Sequence, residues 1–194
     1  MGRKAGVAAE ETRAALLGAA ATVFARRGYD GASISEIASE AGLTSGAIYA
    51  HFASKAQLFV ATLQIYAERD LDQILGREPA ELMEGVTSVG ATFDRPEPTE
   101  ASLLISAIIA ARNDQEVAAL VGDLLADREE KFRALVEKGQ AAGVIAGGVA
   151  AGAVSRLSLM IALGSLVVGT LDLDEVEHEE WTAVIDRVVR AFGS

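Results

Sequence analysis

Apolar residues recur at intervals of three and four positions along most of this 194-residue chain. No stretch shows the alternation of β-branched residues that a strand needs, so the sequence predicts an all-α fold. The first predicted helix runs from Glu11 to Arg27, and Gly28 follows it as a C-terminal stop. Further helices are predicted at 34–41, 44–51, 55–75, 80–93, 99–112, from Asp114 onward, 151–171 and 176–192.

Helix-capping residues mark three starts within about 25 residues. Ser33 with Glu36 forms a capping box, in which each side chain accepts a hydrogen bond from an otherwise unpaired backbone N–H. Thr44 or Ser45 caps a short third helix that reaches His51, and a second capping box begins at Ser54. The sequence therefore predicts two short, closely spaced helices, the second and third, followed directly by a long fourth one.

The second and third of these helices have the spacing of a helix-turn-helix. Ala38 is small at the expected crossing, and Gly42, four residues later, suits a turn that needs a left-handed backbone. Leu43 and Ile48 are placed to seal the underside. Such a pair presents the N-terminal residues of its second helix to a DNA major groove, which is about 12 Å wide.

Charge is distributed unevenly, and this limits where nucleic acid can bind. The formal net charge is -11, from 17 basic and 28 acidic residues, but residues 1–60 hold six basic and five acidic residues. Because binding to phosphate depends on Lys and Arg, only the N-terminal third is suited to approach DNA.

Several other classes of protein find little support. Without cysteine the chain has no disulfide or thiolate metal site, and the acidic cluster around His178 lacks ligand spacing, so we expect no metal and no cofactor. The apolar segment 141–171 is divided by Arg156 into runs shorter than the roughly 20 residues of a membrane span, so a buried helix and a cytoplasmic protein are predicted. No catalytic motif is present. A small helical enzyme and a non-regulatory helical interaction module remain alternatives, and salt-dependent binding to duplex DNA would distinguish them from a DNA-binding protein.

Residues 12–60 resemble the TetR/AcrR family of bacterial repressors. The run Tyr49 to Lys55 reads Y-x-H-F-x-S-K, which is close to diagnostic of that family. The other matching residues are Thr12, Arg13, Ala19, Ala20, Phe24, Gly28, Tyr29, Ser33, Ile34, Ile37, Ala38, Ala41, Gly42, Gly46, Ile48, Leu58 and Phe59. The remaining two thirds of the chain carry no signature that we can match.

The resemblance implies a role for each residue of the DNA-binding segment. Tyr49, His51 and Lys55 would contact backbone phosphates, while Thr44, Ser45, Gly46 and Ala47 would face the bases. Ser33 joins this set at the start of the second helix, and Arg3 and Lys4 would enter a minor groove. The predicted recognition helix departs from the common pattern because it holds no Arg or Lys.

The resemblance also implies a dimeric repressor that a small molecule releases from a palindromic operator. We expect a helix-turn-helix domain at 1–53 and a helical ligand-binding and dimerisation domain at 54–194. The predicted dimer-interface residues are Ala162, Ser165, Gly169, Trp181 and Val188. A mostly apolar ligand site is predicted between the fourth helix and the long helix after Asp114, with the residues Phe59, Leu63, Tyr66, Leu103, Ile105, Ile108, Arg112, Leu120, Leu124 and Phe132.

Overall fold

A computed structural model describes residues 2–75, 77–78, 81–171, 173–174 and 176–193. Contacts divide the chain into two compact units. The first unit comprises residues 1–65 and 102–124, and the second comprises residues 66–101 and 125–194. This division assigns the start of the fourth helix and the 102–124 segment to the same unit as the N-terminal helices. The predicted functional boundary between residues 53 and 54 stays a prediction.

The described residues form nine α-helices and one short 3₁₀ helix, which confirms the all-α prediction. In chain order the elements are α1 (Gly2–Gly31), α2 (Ile34–Glu40), α3 (Ser45–Tyr49), α4 (Lys55–Leu75), α5 (Leu82–Gly90), the 3₁₀ helix (Ala91–Asp94), α6 (Pro98–Ala111), α7 (Gln115–Ala141), α8 (Ala151–Val168) and α9 (His178–Arg190).

The first helix extends beyond both predicted ends. It begins at Gly2, and it continues past Gly28 to Gly31 through a kink at which Gly28 adopts φ 69°. The predicted stop is thus a bend in the chain, because the left-handed backbone that ends many helices is here followed by one more helical turn. The side chains of Arg3 and Lys4 lie outside the described residues.

Interlocking apolar side chains form the core of the first unit. Phe24 and Phe59 meet edge to face with ring centroids 4.8 Å apart, and both are fully buried. Ile37 of α2 and Ile48 of α3 are also fully buried, and Ala38 is buried where α2 packs among its neighbours. These contacts give the two short helices a stability that helices of seven and five residues do not have in isolation.

The second unit has a separate core. Its buried members come from α4, α5, α7 and the segment after α7: Ile74, Leu82, Val89, Leu135, Val136 and Ile145. Helix α9 packs against α5, and its buried residues are Ile185 and Val189. The cores of both units therefore depend on residues that are distant in sequence.

Helix α8 differs from the prediction of a buried helix. By length and composition it is the one described helix that is apolar enough to cross a membrane, but only Ser155 of its residues is fully buried. Several of its large side chains are exposed, among them Leu157, Met160 and Val168. The apolar pattern predicts burial on nearly every side, whereas a single chain covers only part of this surface.

The turn between α2 and α3 yields a stability prediction. Gly42 has φ 66°, and no atom lies within 4 Å of the position that a methyl group would take there, so only backbone strain opposes a side chain. We expect Gly42→Ala to lower the free energy of unfolding by about 1 kcal/mol. The matched control is Gly18→Ala, in the interior of α1 and equally uncrowded, which should raise it by about 0.5 to 1 kcal/mol. Urea unfolding measures both, and equal changes would contradict the strain argument.

Candidate nucleic-acid interface

The starts of α2, α3 and α4 have the predicted N-cap residues, but the capping box predicted at Ser33 has only its serine half, because the Glu36 carboxylate pairs with Arg26 and Arg27. Ser33 Oγ accepts a hydrogen bond from the Glu36 N–H at 3.2 Å, and Thr44 Oγ1 accepts one from the Ala47 N–H at 3.2 Å. At α4, Ser54 Oγ accepts from the Gln57 N–H, and Gln57 Oε1 accepts from the Ala53 N–H in return. Local hydrogen bonds therefore fix the first residue of each of these three helices.

One side of the α3 segment carries polar groups on the surface. Tyr49 is 56% exposed, and Thr44, Gly46 and His51 are exposed as well. Ser45 and Ala47 are half-buried, while Ile48 fills the space underneath. The structure thus brings together six of the ten predicted DNA-contacting residues on one segment, with a hydroxyl, a phenol and an imidazole available to a ligand.

Lys55 has a different position from the one predicted. Its ammonium donates hydrogen bonds to the carbonyl oxygens of Tyr29 at 2.9 Å and Ala32 at 3.2 Å, and lies 4.3 Å from the centre of the Tyr29 ring. Two of its three protons are therefore engaged at the end of α1. This geometry makes Lys55 a residue that holds α1 against α4, and it does not favour the predicted phosphate contact.

Sequence reasoning missed one cation of this region. The guanidinium of Arg13 lies 5.4 Å from the centre of the ring of Phe52, the residue that follows His51. The Arg13 side chain is exposed. Arg26 and Arg27 are less available because both pair with Glu36, at 3.0 and 3.4 Å. Arg13 already stood in the matching motif, but nothing in the spacing indicated that it would meet the chain near the end of α3.

A hydrogen-bonded cluster around Tyr29 joins the end of α1 to α6 and α7 within the first unit. The Tyr29 N–H donates to Ser106 Oγ at 2.7 Å, and the Tyr29 hydroxyl donates to Asp114 Oδ2 at 3.0 Å. Ser54 Oγ donates to Glu116 Oε1 at 2.6 Å. The N–H of Val117 and the Tyr29 hydroxyl hold the pKa of Asp114 below its ordinary value, while burial and Asp114 raise the pKa of Tyr29.

The second unit contains an apolar cavity of about 130 Å³ between α5, α7, α8 and α9. Of the ten residues predicted for the ligand site, Phe132 lines it and the other nine do not. Phe59, Leu63 and Leu103 are instead buried in the first unit, where Phe59 packs on Phe24 and Tyr29. Most of the predicted set therefore lies away from this cavity, because a filled core and a pocket have the same apolar pattern, and a ligand site at the predicted location stays a prediction.

The predicted dimer-interface residues divide into two groups. Ser165 Oγ donates to the Phe93 carbonyl at 2.7 Å, Trp181 Nε1 donates to the Gly90 carbonyl at 3.0 Å, and Gly169 lies against Pro96. These three thus contact their own chain, and Ala162 and Val188 line the cavity. Val188 alone of the five is a large exposed apolar residue.

Comparison with known proteins agrees with this geometry. Residues 16–62 match the sequence profile of the family described as bacterial regulatory proteins, tetR family. The HTH-type transcriptional repressor BepR of Brucella suis is 37% identical over 109 residues, which are 56% of this chain and 45% of the relative. The HTH-type transcriptional activator FasR of Mycolicibacterium smegmatis is 44% identical over 59 residues, 30% of this chain and 27% of the relative.

The alignments with these relatives therefore span less than half of their length. They are named as transcription regulators, which agrees with the prediction that this chain is not an enzyme. The solved structure of Salmonella enterica GusR is similar over 94% of this chain and 95% of its own, with a TM-score of 0.75 and 23% identity, which supports the fold. Residues 16–62 of this chain therefore belong to the tetR family of bacterial regulatory proteins.

Proposed function

We propose that this protein is a DNA-binding transcriptional regulator of the cytoplasm, acting as a homodimer on a palindromic operator. The observation that carries the proposal is the exposed edge of α3, where Thr44, Tyr49 and His51 stand on a helix-turn-helix within the part of the chain that matches the family. Exposed hydroxyl and imidazole groups at such an edge contact phosphates and position a protein on the duplex. Arg13 supplies a cation beside them.

Sequence readout is assigned to the start of α3. Thr44, Ser45 and Ala47 would contact base edges, with the Ala47 methyl packing against a thymine methyl, and Gly46 would allow close approach of the backbone. Because Thr44 Oγ1 already accepts the Ala47 N–H, it can donate one hydrogen bond to a base edge and accept only one more. We therefore assign most of the affinity to phosphate contacts and a smaller part to the bases.

A dimer is supported by two exposed apolar stripes, which we call the α8/α9 stripes. On α8 the exposed members are Leu157, Met160 and Val168, with the half-buried Gly164 between them, and on α9 they are Val184 and Val188. The α8 positions are three or four residues apart and so share one face. No atom lies within 4 Å of a methyl group built at Gly164, so this glycine leaves room for close approach of a second helix. A second copy covering the stripes would explain their composition.

We further propose that the regulator is a repressor and that a small molecule in the second unit releases it. BepR is named a repressor and FasR an activator, so the relatives include both signs of regulation. We choose repression because a dimer represses by occupying a promoter, whereas activation also needs a contact with the transcription machinery. Helix α4 follows α3 in the chain, and Ile74 in its last turn lines the cavity. It therefore links the proposed DNA-reading helix covalently to the proposed ligand site.

The test is binding of the full chain to duplex DNA, first mapped on the genome and then measured by fluorescence anisotropy at several salt concentrations. Arg13→Ala and His51→Ala are expected to weaken binding to operator and random DNA alike, about five- to tenfold each, because phosphate contacts carry no sequence information. Arg13→Ala should also lower the log-log salt slope by about 0.9.

The control is Arg187→Ala, which removes one exposed cation from α9 and so changes the net charge equally. It should leave both the affinity and the salt slope unchanged. Equal losses in Arg13→Ala and Arg187→Ala would mean that net charge alone acts, and absence of salt-dependent duplex binding in the wild type would favour the interaction-module or enzyme alternative.

A further inference from the structure

The cavity of the second unit has walls that contain very few polar atoms. Nineteen of its 24 lining residues are apolar, and they include Leu135 of α7 and Leu82 of α5, both buried. Three phenylalanines, Phe93, Phe132 and Phe192, also face it. A water molecule needs two to four polar partners to be held in such a space, so the cavity is poorly suited to water.

The polar groups that do reach the cavity are already engaged within the chain. Ser155 Oγ donates to the Glu129 carbonyl at 2.6 Å, and Ser158 Oγ donates to the Val154 carbonyl at 3.0 Å. The Glu129 carboxylate pairs with Arg156 at 2.7 Å. Arg128 also interacts within the chain. A charged ligand would thus have to compete with these existing contacts, and buried charge that is not fully paired is strongly disfavoured.

The size of the cavity sets the size of the group that it holds. Its volume of about 130 Å³ is close to that of dry apolar cavities, about 150 Å³, that take up benzene. The two most exposed lining residues are Leu157, 44% exposed, and Val188, 40% exposed. The opening therefore lies beside α8 and α9, and a longer ligand would extend through it.

We infer that this cavity binds an uncharged molecule carrying one compact apolar group, about the size of a single aromatic ring or a tert-butyl group. The molecule brings no charge into the cavity, whatever polar group it carries outside. That such a molecule is the effector is a further step, and this step rests on the proposed regulatory function.

The experiment uses the full chain without DNA and two pairs of probes matched in shape. In the first pair, 3,3-dimethylbutan-1-ol is the neutral carbon analogue of choline, and in the second toluene is compared with benzoate. At ten times its dissociation constant, each neutral probe should raise the thermal midpoint by about 3 to 6 °C. Choline and benzoate should bind at least ~100-fold more weakly and leave the midpoint unchanged at the same concentration.

Two variants locate the site. Ala162→Phe and Ser158→Leu each add volume from α8 to the cavity wall and should abolish binding of both neutral probes. The control Ala126→Phe adds the same bulk at a position of α7 outside the lining and should bind them as the wild type does. Circular dichroism checks folding, and if Ala162→Phe does not fold, Ser158→Leu decides.

Three results would overturn the inference: no shift with either neutral probe, equal binding of a charged probe, or unchanged binding in the filled variants. Failure of the proposed function is separate, because it shows as loss of DNA binding in a protein that still binds the alcohol. If DNA binding is intact and a saturating neutral probe leaves operator affinity unchanged, the effector step fails while the chemical class of the site stands.

Discussion

Met160→Glu is expected to convert the dimer to a monomer and to weaken operator binding by at least ~100-fold. Met160 is 64% exposed in the single chain and lies in the middle of the α8 stripe, so that a second copy would bury it. A two-fold axis would bring two such carboxylates into one apolar interface, where neither finds a partner. A monomer then contacts only one half of a palindromic operator.

Sedimentation velocity at micromolar concentration and anisotropy on a single half-site and the full operator measure the two effects. The matched control is Ala183→Glu, which adds the same charge to the polar side of α9 beside Glu180 and Arg187. It should remain dimeric. A wild-type protein that sediments as a monomer, or a Met160→Glu dimer that binds the operator normally, would exclude the α8/α9 stripes as the interface.

Phe59→Ala is expected to cost about 3 to 5 kcal/mol of unfolding free energy. The Phe59 ring is fully buried, with its centre 4.8 Å from that of Phe24 and 5.1 Å from that of Tyr29. Its removal leaves a void next to Tyr29, whose backbone and hydroxyl groups hold Lys55, Ser106 and Asp114. Loss of DNA binding should follow from loss of the folded first unit.

Urea unfolding gives the cost, and Ile65→Ala is the control because Ile65 lies on the same helix and is exposed. That change should stay within about 0.5 kcal/mol. The prediction also separates two interpretations of Phe59. If it lined a ligand site, as the sequence pattern suggested, truncation would be tolerated and would change the response to an effector.

Features set by neighbouring residues could be predicted from the sequence. The caps at Ser33, Thr44 and Ser54, the left-handed Gly42, and the start of α7 at Asp114 all depend on hydrogen bonds or backbone conformations within four positions along the chain. Such interactions are encoded by spacing alone, and this is why the helix-turn-helix and its exposed edge were accessible without a structure.

Features set by distant residues were not accessible. Lys55 meets carbonyls 26 and 23 positions earlier in the chain, and Ser165 meets one 72 positions away. The charge of Lys55 suits a phosphate contact as well as the carbonyl contacts that it makes. The small size of Ser165 likewise suits a dimer contact as well as its contact with Phe93. Apolar periodicity likewise marks a face as buried without stating whether a core, a cavity or a second chain buries it.

Leu157 and Val188 belong both to the cavity wall and to the α8/α9 stripes. If a second copy covers the stripes, it also covers the opening, so occupancy of the cavity and association of the two chains become linked equilibria. A ligand that binds the associated form more tightly must then strengthen association by the same factor. The apparent potency of an effector would consequently depend on how many copies of the regulator a cell contains.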